Sequence, residues 1–239
     1  MSQILGLLGL LIVGQVLVAQ ASTTPDQVAS FRTLSMITSI NDLLYDYDGE
    51  SVPVKARTSS FSKAYPLPDD GNLIFYRLLP PKEGETEPQR INVAEIELEE
   101  DNGGLFIFMT EATDNVNHIN TFVAKDSWTE HPLETLLVFN LSERHTMVKL
   151  DTDGEVRQLG PGQSAIYPYP KNGSKQAMLK VATREDGSDW ELRIGGPQLT
   201  LAGTRSTLAL VDEQATELRP LTKDLLIRKL IERAPITEE

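Results

Sequence analysis

The stretch 135–168, TLLVFNLSERHTMVKLDTDGEVRQLGPGQSAIYP, constrains the fold more than any other part of the chain. Leu136, Val138, Phe139 and Leu141 form a strongly apolar run of the branched and aromatic types that suit a pleated surface. Met147 to Leu150 predicts a second strand, with Val148 and Leu150 on one face and Lys149 on the other. Asp153-Gly154 supplies a turn, because glycine reaches the positive φ that a tight hairpin needs. Val156 and Leu159 resume the strand, and Gly160-Pro161-Gly162 breaks it, since proline has no ladder donor. Ala165 to Tyr167 begins another strand, which Pro168-Tyr169-Pro170 ends. Four strand-like runs in about thirty-five residues is the cadence of a sandwich or barrel.

The rest of the chain follows the same style. Phe31 to Ser39 and Leu43 to Tyr45 read as strands, with Asp48-Gly49 as a turn. Val52-Pro53-Val54 resumes the run, and Pro53 points to an edge or a strand start. Leu73 to Leu79 is a clear strand, stopped by Pro80-Pro81. The polar stretch 82–90 reads as an exposed hairpin loop. The next strand holds Ile91, Val93, Ile96 and Leu98, with Glu95 and Glu97 outward. Leu105 to Met109 is continuously apolar, as in a strand buried on both faces or facing a partner sheet. The stretch 111–134 is the least regular. Ala177 to Thr183 and Trp190 to Ile194 follow as strands, Gly195-Gly196-Pro197 reads as a break, and Leu199 to Leu201 with Thr207 to Val211 reads as a final pair. In Asp224 to Arg233 the apolar positions 225, 226, 227, 230 and 231 favour one face of a helix, with a last strand as the alternative.

The expected fold is therefore all-β. It is an antiparallel β-sandwich, as one unit or as two small sandwiches in tandem, with a C-terminal helix or strand. The expected divisions are a leader over 1–21, a β domain over 22–110, an irregular connection over 111–134, a second β domain over 135–221 and a tail over 222–239.

Ile4 to Ala19 is almost wholly apolar, and Ala19-Gln20-Ala21 is a small-x-small cleavage site, the pattern of a secretory signal. No Lys or Arg precedes the run. At about sixteen residues, with Gln15 inside, it falls short of the roughly 20 needed to span a bilayer. Cleavage with release to the periplasm or the outside is expected, with no stable membrane span; an uncleaved anchor is the alternative. The chain has no cysteine, so a core must hold it without disulfides. The net charge of −13 argues against nucleic acid, whose phosphates demand clustered Lys and Arg.

The order of features resembles a family of exported bacterial β-sandwich proteins with no assigned activity. The likeness is carried by Phe75 to Pro80 (FYRLLP), the buried strand Leu105 to Met109, Leu137 to Ser142 (LVFNLS) and Leu159 to Ser164 (LGPGQS), and it runs from Phe31 to Val211. It implies the sandwich and the export, and no site residues.

Several stretches invite chemistry. DYDGE (Asp46 to Glu50) and DTDGE (Asp151 to Glu155) gather oxygens for a hard cation, but neither has Gly sixth and Glu twelfth as an EF-hand does. His118, His131 and His145 are the only histidines, and none pairs at i, i+4 for zinc. Gly162-Gln163-Ser164 lacks the second glycine of a nucleophile elbow. Gly103-Gly104 and Gly195-Gly196 lack the Lys-Ser/Thr of a phosphate loop. Glu95, Glu97 and Glu99 suit a solvated strand face better than a hydrolytic carboxylate pair. Trp128, Trp190, Tyr167 and Tyr169 suit a carbohydrate surface or, more simply, packing. Asn140 and Asn172 match the glycosylation acceptor pattern. No catalytic, cofactor or metal residue is assigned. The expected function is a non-catalytic protein of the bacterial cell envelope that binds or scaffolds an envelope protein or glycan, with strand edges such as Leu105 to Met109 available for pairing. The alternatives are a carbohydrate- or calcium-binding module, or a carboxylate-dependent hydrolase of an extracellular polymer.

Overall fold

The computed structural model describes residues 29–69, 71–98, 104–112, 115, 117–213 and 225–233. The expected leader and its cleavage site lie outside them. Sixteen strands and no helix occur among the described residues. The first eight are β1 (Ser30–Ser35), β2 (Ile40–Tyr47), β3 (Glu50–Ala56), β4 (Tyr65–Pro66), β5 (Asn72–Leu79), β6 (Gln89–Glu97), β7 (Gly104–Glu111) and β8 (Ile119–Lys125). The second eight are β9 (Thr135–Asn140), β10 (His145–Leu150), β11 (Val156–Leu159), β12 (Ser164–Pro168), β13 (Gln176–Arg184), β14 (Glu191–Leu199), β15 (Thr204–Asp212) and β16 (Leu225–Arg233).

The two sets of eight have one topology. The first builds sheets ordered β4-β1-β7-β8 and β3-β2-β5-β6; the second builds β12-β9-β15-β16 and β11-β10-β13-β14. Adding eight to each strand number converts one repeat into the other. DYDGE and DTDGE are then the same turn, between β2 and β3 and between β10 and β11. The sequences YPLPDDG (65–71) and YPYPKNG (167–173) also coincide, the Tyr-Pro of each ending the strand that pairs with β1 or β9. The DYDGE hairpin closes in two residues, with positive φ at Asp48 (51°) and Gly49 (76°). The DTDGE turn is wider and needs glycine for a different reason: a Cβ on Gly154 would stand 1.8 Å from the Leu150 carbonyl oxygen.

The strands face as a period of two requires. Phe31 of β1 and Leu105, Ile107 and Met109 of β7 point into the first core, with Leu43, Tyr45, Leu73 and Phe75 of the opposing sheet. Leu136, Val138, Leu208 and Leu210 point into the second core, against Val148, Leu179 and Val181. The alternate residues, Leu34, Phe106 and Phe108 of one repeat and Leu137, Phe139, Ala209 and Leu230 of the other, share a third core. The molecule is thus four stacked sheets, and the two inner ones are buried on both faces. This explains the continuously apolar runs of β7 and β9.

Polar groups are also buried between the inner sheets. Arg205 on β15 has no exposed surface and lies 3.5 Å over the Trp128 ring. Its Nη2 donates to Asp126 Oδ1 at 2.7 Å and its Nε to Glu232 Oε2 at 3.2 Å. Arg32 on β1 donates from Nε to Asp126 Oδ2 at 2.7 Å and also pairs with Glu232. Each arginine therefore bridges a carboxylate from each repeat. Arg228 adds two bonds across the junction, to the carbonyls of Met36 (2.8 Å) and Ile37 (3.1 Å).

Several expectations are corrected. The stretch 111–134 holds β8, which pairs with β7 over seven residues; its apolar residues Ile119, Phe122, Val123 and Ala124 do not alternate as a half-buried strand's would. The tail forms strand β16 rather than a helix, paired with β15 along nine residues. Its period is two: Leu225 and Ile227 pack on the second core, while Arg228, Leu230 and Glu232 face the junction. Gly195-Gly196-Pro197 lies within β14, where an edge position tolerates a residue without an N–H. β15 does not pair with 199–201; it lies between β9 and β16. The β1–β7 and β9–β15 pairs are parallel, each bridged by a long crossover through the opposing sheet, and every other pair is antiparallel.

Removing one member of a buried ion cluster leaves the others uncompensated, at about 3–5 kcal/mol. Arg205→Met is expected to lower unfolding free energy by that order in urea titration. A loss under about 1 kcal/mol would show that the cluster is solvated in the native protein.

Candidate functional site

The residues singled out from sequence do not converge. The Asp46 carboxylate accepts the Tyr76 hydroxyl at 2.7 Å and Arg90 Nη1 at 2.6 Å. The Tyr76 hydrogen bond, then Arg90, holds its pKa below the usual carboxylate value. That acid is committed inside its own sheet. Asp151 Oδ1 accepts the Thr152 N–H at 2.8 Å within its turn. Among the described residues, no three His, Asp or Glu side chains gather closely enough to share a metal ion. His145 faces Asp186 at 3.2 Å, and His131 is buried elsewhere, in the loop before β9.

The four aromatics separate too. Tyr167 and Tyr169 are buried in the second core, the latter hydrogen-bonded to Ser206 at 2.7 Å. Trp128 lies under Arg205, and Trp190 lies 4.8 Å from Arg184. Asn140 is fully buried, with Nδ2 donating to the carbonyls of Arg144 (2.7 Å) and Gly160 (3.0 Å). It ties two turns together and offers no acceptor for a glycan. Glu95 and Glu97 face solvent; Glu99 lies outside the described residues. Leu105 to Met109 is central in its sheet between β1 and β8, so it is no free edge.

A groove of about 500 Å³ opens where the repeats meet, between the edge strands β8 and β12. Phe122 and Ala124 of β8, Leu137 and Phe139 of β9 and Ile166 of β12 give it an apolar lining. Phe122 packs against Phe139 with ring centroids 5.9 Å apart. The polar lining is Lys125, Glu130, His131, Arg157 and Ser164. Arg157 pairs with Glu155 at 2.9 Å and donates from Nη1 to the Ile166 carbonyl at 3.2 Å, which covers part of the β12 edge. Ser164, from the GQS stretch, stands at the start of β12 and is not hydrogen-bonded to His131.

The repeat explains why the groove is open. The connection from β3 to β4 spans 57–64, whereas the one from β11 to β12 spans only 160–163. Four residues before the shared tyrosines Tyr65 and Tyr167 stand Phe61 and Gln163. Phe61 stacks on Phe106 at 4.2 Å, covering the inner sheet of its own repeat beside Arg32. The Gln163 side chain instead turns back, its Oε1 accepting the Gly160 N–H at 2.8 Å. The corresponding flank of the second repeat keeps its apolar floor uncovered. No single residue type in the sequence marks this place; only the repeat alignment does.

No protein-family model matches the chain, and no curated protein sequence matches it. The roles of the groove residues therefore rest on their geometry.

His131 is 1% exposed, in the loop before β9. Burial, and then the charge of Arg205, pushes its pKa down to about 4. The unfolded value is about 6.5, so between these two values the unfolded chain binds more protons. Stability contributed by the neutral imidazole is complete above pH 6.5 and is lost as pH falls towards 4, by about 3 kcal/mol at most. Urea titrations of the wild type and His131→Gln from pH 7 to 4 should show a steeper fall for the wild type. Parallel slopes would mean that His131 titrates normally in the native protein.

Proposed function

We propose that this chain is a non-catalytic binding protein exported to the bacterial cell envelope, and that the groove between its two repeats receives the ligand. The observation that carries the reading is the unequal treatment of two corresponding flanks: at one, Phe61 lies over the inner sheet and the opening of about 440 Å³ left there is bordered by Lys55, Arg57 and Lys63, whereas the other keeps an apolar floor in a groove of about 500 Å³. That volume is within the usual range of ligand sites, as is an apolar lining with a few polar groups at its border. Binding rather than catalysis is supported by the lining chemistry, in which the serine and the histidine are not hydrogen-bonded to each other. Export is supported by the apolar run Ile4 to Ala19 with its small-x-small ending.

A neutral fluorescent reporter of apolar sites, N-phenyl-1-naphthylamine, tests the reading. Protein purified without detergent from cells expressing the full chain is expected to bind it with saturation at one dye per chain. Ser164→Trp places an indole at the groove, and should abolish the signal while leaving the unfolding midpoint within about 2 °C, since the residue is exposed. Undiminished dye binding by that variant would remove the groove from consideration.

A further inference from the structure

Resting on the groove as the binding site, we propose that its ligand is a free single-chain amphiphile with an anionic head group, of the fatty-acid class. Three observations converge on this chemistry. First, the interior is made of carbon: Phe122, Ala124, Leu137, Phe139 and Ile166 present no charge to an occupant. An acyl chain is favoured there by apolar burial alone, each methylene taken out of water adding to it.

Second, the protein already seats an apolar group on the corresponding flank of its other repeat. There the Phe61 ring stacks on Phe106 and lies 5.0 Å from the Arg32 guanidinium. An apolar body beside a cation is thus what the scaffold accommodates when it fills this place itself. The open flank has the same pairing, with an apolar floor and the cations Lys125 and Arg157 on its lining.

Third, the groove offers one cation that is not engaged in an ion pair among the described residues. The whole sequence carries −13, yet the groove lining holds two cations, Lys125 and Arg157, and one anion, Glu130. Arg157 is engaged with Glu155. Lys125 is exposed at the end of β8 and forms no ion pair among the described residues. A head group with negative charge meets a complementary partner at Lys125.

The same dye gives the test. Sodium decanoate below its micellar concentration and the uncharged decanol are each titrated against dye-loaded protein. Decanoate is expected to displace the dye, and Lys125→Glu, which exchanges attraction for repulsion, should raise the concentration it needs by about tenfold. With each variant's own dye affinity measured and divided out, displacement by uncharged decanol should change less than displacement by decanoate. If the dye binds in the groove but decanoate fails to displace it, or displaces it equally from Lys125→Glu, the anionic amphiphile is wrong and the groove still stands as a binding site. If Ser164→Trp retains the dye, the groove itself is wrong and this inference falls with it.

Discussion

Leu34, Phe106 and Phe108 leave the first repeat with no soluble outer face on its inner sheet, and Leu137, Phe139 and Ala209 do the same to the second. Neither inner sheet can stand in water with both faces apolar. Each burial of a side chain of this size contributes about 1.5–3 kcal/mol, so the junction gains its strength from these residues. The ring of Arg32, Asp126, Arg205 and Glu232 acts differently. Its Coulomb attraction is largely offset by the cost of taking four charges out of water. What it adds is direction, because each guanidinium must reach one acid from either repeat. Apolar sheets alone would tolerate sliding, and the crossed ion pairs do not.

The groove follows from the same stacking. Two sheets packed face to face leave a cleft along each flank, at β8 with β12 on one side and at β16 with β4 on the other. The chain lengthens one connection by four residues and sends Phe61 into the space it reaches. It shortens the other to a Gly-Pro-Gly-Gln turn, which is too brief to reach across. Here a difference in loop length separates a flank with Phe61 laid over it from an open groove while the strands beneath keep the same order.

Much of the fold was legible in the sequence, and the reasons for the failures are physical. Strands with a clean alternation, such as Met147 to Leu150, or with an unbroken apolar run, such as Leu105 to Met109, announced themselves. β8 did not, because its apolar residues Ile119, Phe122, Val123 and Ala124 follow no clean alternation. β16 read as a helix because three successive apolar residues satisfy both periods when two faces of a strand are buried. Pro197 looked like a break because the edge position that excuses it is a fact of the sheet rather than of the sequence. The two turns, DYDGE and DTDGE, carried the plainest sign of the duplication. Weighed singly as cation sites they gave nothing; weighed as a pair they mark the repeat. The groove residues were not legible, since Lys125, Ile166 and Phe122 meet only after the two repeats have stacked.

The parallel pairs carry a consequence for assembly. Phe31 finds its neighbour at Leu105, and Leu136 finds its own at Ser206, so each repeat closes only when a distant strand arrives. Contacts of such separation are slow to form and leave intermediates with uncovered surface. Glu232, on the last of the described strands, is the final member of the charged ring to be synthesised. A growing chain that stops short of it holds two buried arginines against a single acid and bares the place of Leu230. Until β16 docks, the seam between the repeats stays apolar and unbalanced in charge.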